Sequence, residues 1–241
     1  MSEKFKLADD SQLRSLKDRV QCRMCKKKRL YFCYDCHEYC EGIKELVPEV
    51  QLPTKVDIIK HKLERNSKST AIMCKLTAPK STRIFTPDDC PNYNDEMKNE
   101  NIVLVFPSKN AIPIKEYIDK NGPIDKFVFL DSTWQQTGSL RNIRKLCKLP
   151  YVSMKTYRTD YWRPQYKFGD EYLATIEAVY FASKEAWEAN NPDKIYDGFF
   201  DNLLFWFYFF RSFVREDYYP ENRKLLEVHK KRKREIVKCF V

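Results

Sequence analysis

Asp131–Gln136, reading DSTWQQ, follows directly on the apolar stretch KFVFL. If that stretch is a buried strand, its tip carries an acid, two hydroxyls, an indole and two amides. Strand tips of α/β sheets are where ligands usually bind. A carboxylate there can take a proton or face a cation, hydroxyls and amides can read polar edges, and an indole can stack. An N-cap at Asp131 or Ser132 would explain one acid or hydroxyl at a helix start, but not the whole cluster.

A second chemistry lies upstream, in CRMCKKKRLYFCYDCHEYC. Cys22 and Cys25 have the spacing of one metal knuckle, Cys33 and Cys36 that of another. Four thiolates suit tetrahedral zinc, and tandem pairs are seldom redox motifs. Only seven residues separate the pairs, short for a zinc ribbon, so His37 or Cys40 stands as a substitute ligand. Closure of a small lobe is the expected role. Lys26, Lys27, Lys28 and Arg29 at its tip suit contact with phosphates.

Three further stretches carry polar chemistry. In YRTDYWRP, Arg158 and Arg163 flank Tyr161 and Trp162. Arginine forks grip carboxylate or phosphate and aromatics stack on bases, though surface packing needs the same residue types. HKLERNSKST offers an anion contact through Lys68, Ser69 and Thr70, or an ordinary solvated loop. In LATIEA, Thr175 and Glu177 fall at a helix start, either as an anion or ribose site or as a plain cap. His37 lies in the cysteine cluster and His229 in a basic tail, leaving His61 alone. No GxSxG, HExxH, GxGxxG or GxxxxGK[ST] pattern occurs, which excludes the common hydrolase, Rossmann and P-loop readings.

The elements that must position these residues follow from periodicity. Val56–His61, Ile102–Pro107, Phe127–Asp131 and Tyr151–Tyr157 read as strands. Ile112, Ile114, Tyr117 and Ile118 mark a crossover helix closed by Asn121-Gly122-Pro123. Leu140, Ile143, Leu146 and Leu149 predict another helix over Ser139–Leu149. Leu7, Leu13 and Leu16 suggest a short amphipathic helix before the cysteines. Helices are expected over Thr175–Asn190 and Asp201–Glu216. The β-α-β-α-β order predicts an α/β fold with a largely parallel sheet. The expected division is a cysteine-rich zinc module over residues 1–50, a main domain over 51–220 and a basic tail over 221–241.

Composition bounds the partners. Of 241 residues, 43% are apolar and 15% aromatic, enough for a real core. The 44 Lys and Arg against 34 Asp and Glu leave +10, which favours a polyanion such as nucleic acid. MSEKFKLADD lacks the apolar core of a secretory signal. The longest apolar run, Leu203–Phe210, is eight residues, far short of the roughly 20 that span a membrane. A soluble, intracellular protein is expected. Nine cysteines, an odd number, argue against a disulfide framework. KKRKR at Lys230–Arg234 fits a nuclear import signal, a phosphate-binding tail or a solvated helix end.

DSTW at Asp131–Trp134 resembles the Asp-x-Thr-Trp signature of the DTW-domain family. HKLERNSKST, LVFPS at Leu104–Ser108, TYR at Thr156–Arg158 and LATIEA match in the same order, over roughly Cys22 to Ala189. Ser132 stands where many members have glycine, and His61-Lys62 replaces a more usual His-Pro. The resemblance implies a SPOUT-like, trefoil-knotted fold. It also implies transfer of the 3-amino-3-carboxypropyl group from S-adenosylmethionine to N3 of a tRNA uridine, leaving methylthioadenosine. Asp131, Thr133 and Trp134 would then form the catalytic group. Asp131 would act as base, steady the sulfonium or bind the donor's ammonium. Trp134 would stack on uracil or adenine or wall the pocket. Pro107, Ser108, Ser132, Thr175 and Glu177 would hold the donor, with Arg158 on its carboxylate or on a tRNA phosphate. Gln135, Gln136, Lys68, Tyr161, Trp162 and Arg163 would join Lys27, Lys28 and Arg29 on the RNA. Nuclear residence fits the resemblance, and monomer and homodimer both stay open. A SPOUT-like RNA methyltransferase and a non-catalytic zinc-dependent RNA-binding protein are the rival readings.

Overall fold

The computed structural model describes residues 5–132, 138, 140, 142–162 and 170–214. Thr133, Trp134, Gln135, Gln136, Arg163 and the basic tail, all singled out from the sequence, lie outside them. The N-terminal helix α1, Ser11–Ser15, is a single turn that buries Leu13. Two small hairpins follow: β1 (Val20–Gln21) with β2 (Lys28–Arg29), and β3 (Phe32–Cys33) with β4 (Glu38–Tyr39).

The main sheet has six strands: β5 (Lys55–Lys60), β6 (Thr82–Phe85), β7 (Ile102–Val105), β8 (Ile112–Pro113), β9 (Lys126–Asp131) and β10 (Tyr151–Ser153). Their order is β6-β5-β9-β7-β10-β8, and every pairing is parallel. The inner strands are largely apolar because both faces are covered, with buried Asp57 within β5 the exception. Side chains alternate between the two cores: Val103, Phe127 and Phe129 face one, Ile102, Leu104 and Val128 the other. The first core includes buried residues of helices α2 (Ala71–Thr77), α4 (Ile114–Asn121), α5 (Thr175–Asn190) and α6 (Phe205–Arg211). The second includes Tyr93 of the short helix α3 (Tyr93–Glu96).

Several expectations change. Ile112-Pro113 is an edge strand rather than the start of the crossover helix; an edge tolerates proline because its missing N–H would face outward. The strand at Thr82–Phe85 was missed, being four residues long and partly polar. The strand expected over Tyr151–Tyr157 ends at Ser153. Over Ser139–Leu149 the described residues include helical Leu140 and a 3-10 turn at Arg144–Leu146, with tight turns between them and on to Leu149. Ile143 N–H donates to Leu140 O, Leu146 N–H to Ile143 O and Leu149 N–H to Leu146 O, at 3.1, 2.9 and 3.0 Å. A three-residue apolar spacing satisfies that chain of turns as well as it does a helix.

At the amino end of the sheet the charges are balanced. Buried Lys126 bonds Glu96 and Glu100, each at 2.6 Å, and buried Asp57 bonds Arg83 at 2.7 and 2.8 Å. Among the described residues no helix is long and apolar enough to cross a membrane.

A 3-10 turn over Asp201–Leu204 leads into α6, whose Trp206 is 0% exposed. Its ring meets Tyr31, Phe32 and Tyr39 at 5.6, 5.1 and 6.2 Å, and its Nε1 donates to the Tyr39 hydroxyl at 3.2 Å. This indole therefore pegs the cysteine-rich hairpins to the body. Trp206→Ala should cost about 3–5 kcal/mol in a urea melt. Loss of under ~1 kcal/mol would show that the peg contributes little.

Candidate active site

The strand tip singled out by its composition is where β9 ends. Asp131, 4% exposed, is its last residue. Ser69 Oγ donates to its Oδ2 at 2.7 Å, and Thr175 Oγ1 donates to its Oδ1 at 2.6 Å. His61 N–H takes its carbonyl at 2.8 Å. Thr70 Oγ1 in turn accepts from Ile176 N–H at 3.2 Å. One carboxylate thus joins the end of β9, the segment before α2 and the first turn of α5. Burial pushes the Asp131 pKa up, against the pull of the Ser69 and Thr175 hydroxyls and Lys60. The expectation that Asp131 acts as base meets a side chain shut away from solvent and bonded at both oxygens. A general base needs reach to its proton first, so this geometry suits positioning instead.

Beside it a cavity of about 250 Å³ opens at the carboxyl ends of β9, β7 and β10. Ligand sites of open α/β sheets lie at such edges. Val105, Phe129 and Val152 form its apolar side. Pro107, Ser132, Tyr157 and Thr175 line it, the first, second and fourth of which the sequence singles out. Lys155 and Glu171, which sequence reasoning passed over, are the one cation and the one carboxylate among the described lining residues. Ser108 and Arg158 are not among them. Ser108 Oγ accepts from Asn110 N–H at 3.4 Å within its own turn, and Arg158 is exposed.

The wall after β10 is held by two buried acids eight residues apart on one side of α5. Glu177, 3% exposed, accepts from Thr159 Oγ1 at 2.6 Å and from the backbone N–H groups of Asp160 and Ala174, each at 2.8 Å. Glu185 accepts from Lys155 N–H and the Tyr157 hydroxyl, both at 2.8 Å. The Tyr157 ring stacks on Phe181 at 3.9 Å. Burial raises the pKa of both acids. Glu177 is not among the described lining residues and caps its own helix start, the plain-cap alternative that LATIEA offered. Glu185 was missed, although two acids at i and i+8 on an apolar helix face are a readable signal.

The cysteine hairpins form one cluster. The sulfurs of Cys22, Cys25, Cys33 and Cys36 all lie within 4.8 Å of one another, with Cys25 and Cys33 at 3.5 Å. The two knuckles repeat one geometry: Lys26 and His37, each just after the second cysteine, have φ of 61° and 58°. Their N–H groups donate to Cys22 O and Cys33 O at 3.0 and 2.8 Å. Neither His37 nor Cys40 belongs to the cluster. Backbone N–H groups of Cys25 and Met24 help bring the Cys22 thiol down to about 7. At the tip, Lys27 and Arg29 both bond Asp35, at 3.0 and 2.8 Å, and Arg29 stacks over Tyr34 at 4.1 Å. Those two tip cations are tied into the module, while Lys28 is exposed. Lys68 is also exposed, its carbonyl accepting from the Tyr161 hydroxyl at 3.4 Å. Trp162 packs on Phe207 at 5.3 Å.

Fold and site define an α/β protein with a cleft at the carboxyl edge of a parallel sheet and a four-cysteine module. The chain belongs to the DTW domain family, whose model matches residues 30–215. It is 33% identical to tRNA-uridine aminocarboxypropyltransferase 1 of Mus musculus, over 82% of this chain and 77% of that protein. The proteins of the same name from Xenopus laevis and Homo sapiens are 31% and 32% identical, over 83% and 82% of this chain and 81% and 77% of theirs. The solved SAM-dependent rRNA:acp-transferase Tsr3 from Vulcanisaeta distributa overlaps with a TM-score of 0.37 at 16% identity, covering 66% of this chain and 81% of that one.

Because the folded Asp131 pKa lies above its ordinary 3.8, its contribution to stability is full below that pH. It is lost as pH rises through the folded value. Asp131→Asn, which does not ionise, should therefore gain stability relative to wild type as pH rises above 3.8. Urea melts across acid to neutral pH read this difference, and the opposite slope would contradict a raised pKa.

Proposed function

We propose that this chain transfers the 3-amino-3-carboxypropyl group of S-adenosylmethionine to N3 of a uridine in tRNA. The reading is carried by the alignment of relatives named for that activity over more than four fifths of the chain. In such a reaction the bond from N3 to the γ-carbon forms as the γ-carbon–sulfur bond breaks. Methylthioadenosine leaves as a neutral thioether and N3 gives up its proton. In this reading the donor's methionine end lies in the cavity beside Thr175, with Lys155 on its carboxylate. Glu171, the carboxylate lining the cavity, is the base. Asp131 and Glu177 hold the walls, which keeps the γ-carbon rather than the methyl in line with N3. Arg158, exposed outside the cavity, is left for a tRNA phosphate.

The four-cysteine cluster fits zinc. A tetrahedron with arms of about 2.3 Å has sulfur–sulfur edges of about 3.8 Å, close to the compact spacing here. Zinc at Cys22, Cys25, Cys33 and Cys36 would crosslink the two hairpins and leave no open coordination position, so it is structural.

Incubation of the chain with S-adenosylmethionine and bulk tRNA, followed by mass spectrometry, should yield an aminocarboxypropyl-uridine and methylthioadenosine. S-adenosylhomocysteine instead would make it a methyltransferase; tRNA binding without donor consumption would make it a binding protein. Glu171→Gln should lower kcat by about 10²-fold with little change in KM for the donor. Elemental analysis of the wild type should find zinc, about one per chain. Joint replacement of Cys22 and Cys25 by serine should remove it and lower Tm, whereas a metal-free wild type would refute the zinc reading.

A further inference from the structure

A second cavity, of about 370 Å³, lies between the cysteine hairpins and the body. Its hairpin side carries Arg19, Lys28, Tyr34 and Phe32, and its body side carries Ser69, Trp162 and Phe210. None of its described lining residues is acidic. Arg29 also lines it but is neutralised by Asp35, which bonds Asn66 of the body side at 3.0 Å as well. Arg19 and Lys28 are exposed, and neither pairs with a carboxylate among the described residues. The contrast is the cavity at the amino end of the sheet, where Lys55, Arg83 and Lys126 are matched by Asp57, Glu96 and Glu100, and the fourth cation, Lys80, pairs with Glu49 at 3.5 Å. Cations left unbalanced beside aromatic rings are the composition that binds single-stranded nucleic acid, with phosphate on the cation and base on the ring.

The two cavities share one hydrogen-bonded link. Ser69 lines the second, Thr175 lines the first, and both donate to Asp131. A strand of RNA seated in the second cavity therefore lies one buried carboxylate away from the first.

We propose that the second cavity holds a nucleotide of single-stranded RNA next to the modified uridine, with its phosphate on Arg19 and Lys28 and its base among Tyr34, Trp162 and Phe210. The proposal rests on the tRNA-modifying reading above and names where that substrate is gripped. It also gives the hairpin module a task beyond closing a lobe: it supplies the basic wall of the RNA site.

Fluorescence anisotropy with labelled bulk tRNA tests it, alongside calorimetry with S-adenosylmethionine alone. Arg19→Glu/Lys28→Glu should weaken tRNA binding at least tenfold and make the slope of log K against log salt shallower by about 1.5, while donor affinity stays at the wild-type value. Lys28→Ala alone should show part of the same loss. A control that removes equal charge elsewhere, Lys80→Glu/Lys98→Glu at the amino end of the sheet, should bind tRNA nearly as wild type does. Wild-type tRNA affinity in Arg19→Glu/Lys28→Glu, or an equal loss in the control, would overturn the assignment. Circular dichroism of each variant excludes unfolding. If wild type binds tRNA through this wall but forms no aminocarboxypropyl product, the enzymatic reading fails and the RNA site stands. If product forms at the wild-type KM for tRNA in Arg19→Glu/Lys28→Glu, the RNA site fails and the enzymatic reading stands.

Discussion

The Asp131 carboxylate, buried between the Ser69 and Thr175 hydroxyls, sets the positions on which the rest of the site depends. A parallel sheet ends in a row of strand tips, and connections leaving those tips have no ladder to fix them. Here the tie is electrostatic: an anion held away from water must be matched by donors, and two hydroxyls from distant segments supply them. Desolvation raises the cost of the charge, and that cost makes the arrangement specific, because a misplaced hydroxyl would leave a buried acid unpaired. Ser69 and Thr175 can meet one carboxylate only if the segment before α2 and the start of α5 converge on the tip of β9.

The same device recurs along α5. Glu177 and Glu185 turn inward from a helix that otherwise buries apolar residues, and each accepts donors from the segment after β10. Two buried carboxylates thus hold a segment with no strand or helix of its own between Met154 and Trp162. The cavity wall is stiff for this reason, although it is made of loop.

The cysteine hairpins are attached by a different force. Trp206 of α6 lies among Tyr31, Phe32 and Tyr39, so the attachment is aromatic burial rather than charge pairing. Asp35 adds a polar contact through Asn66. Apolar packing fixes the module at its base and leaves its basic edge, with Lys28 and Arg19, facing the second cavity. The cleft at the strand tips and this one, framed by rings and by cations unpaired among the described residues, thus differ in character.

Much of this architecture was legible in the chain. Inner strands buried on both faces must be largely apolar, so β5, β7 and β9 stood out, and the lengths between them demanded crossovers. Tandem CxxC pairs marked the cluster because thiolates that share a metal keep short spacings. The edge strands β6 and β8 were not legible, since a short strand with one partner carries little periodic signal. Nor was the 3-10 turn at Arg144–Leu146, whose three-residue apolar spacing imitates that of an α-helix. At the site, Asp131, Thr175 and Glu177 were recognisable as residues of consequence, Glu177 also as a helix cap, but their distant hydrogen-bond partners were not. Ser69 stands 62 residues before Asp131 and Thr175 stands 44 after it. Local pattern determines which element a residue belongs to. Which donors reach a buried oxygen, and so whether an acid works on a substrate or holds a wall, is decided only when distant segments pack together.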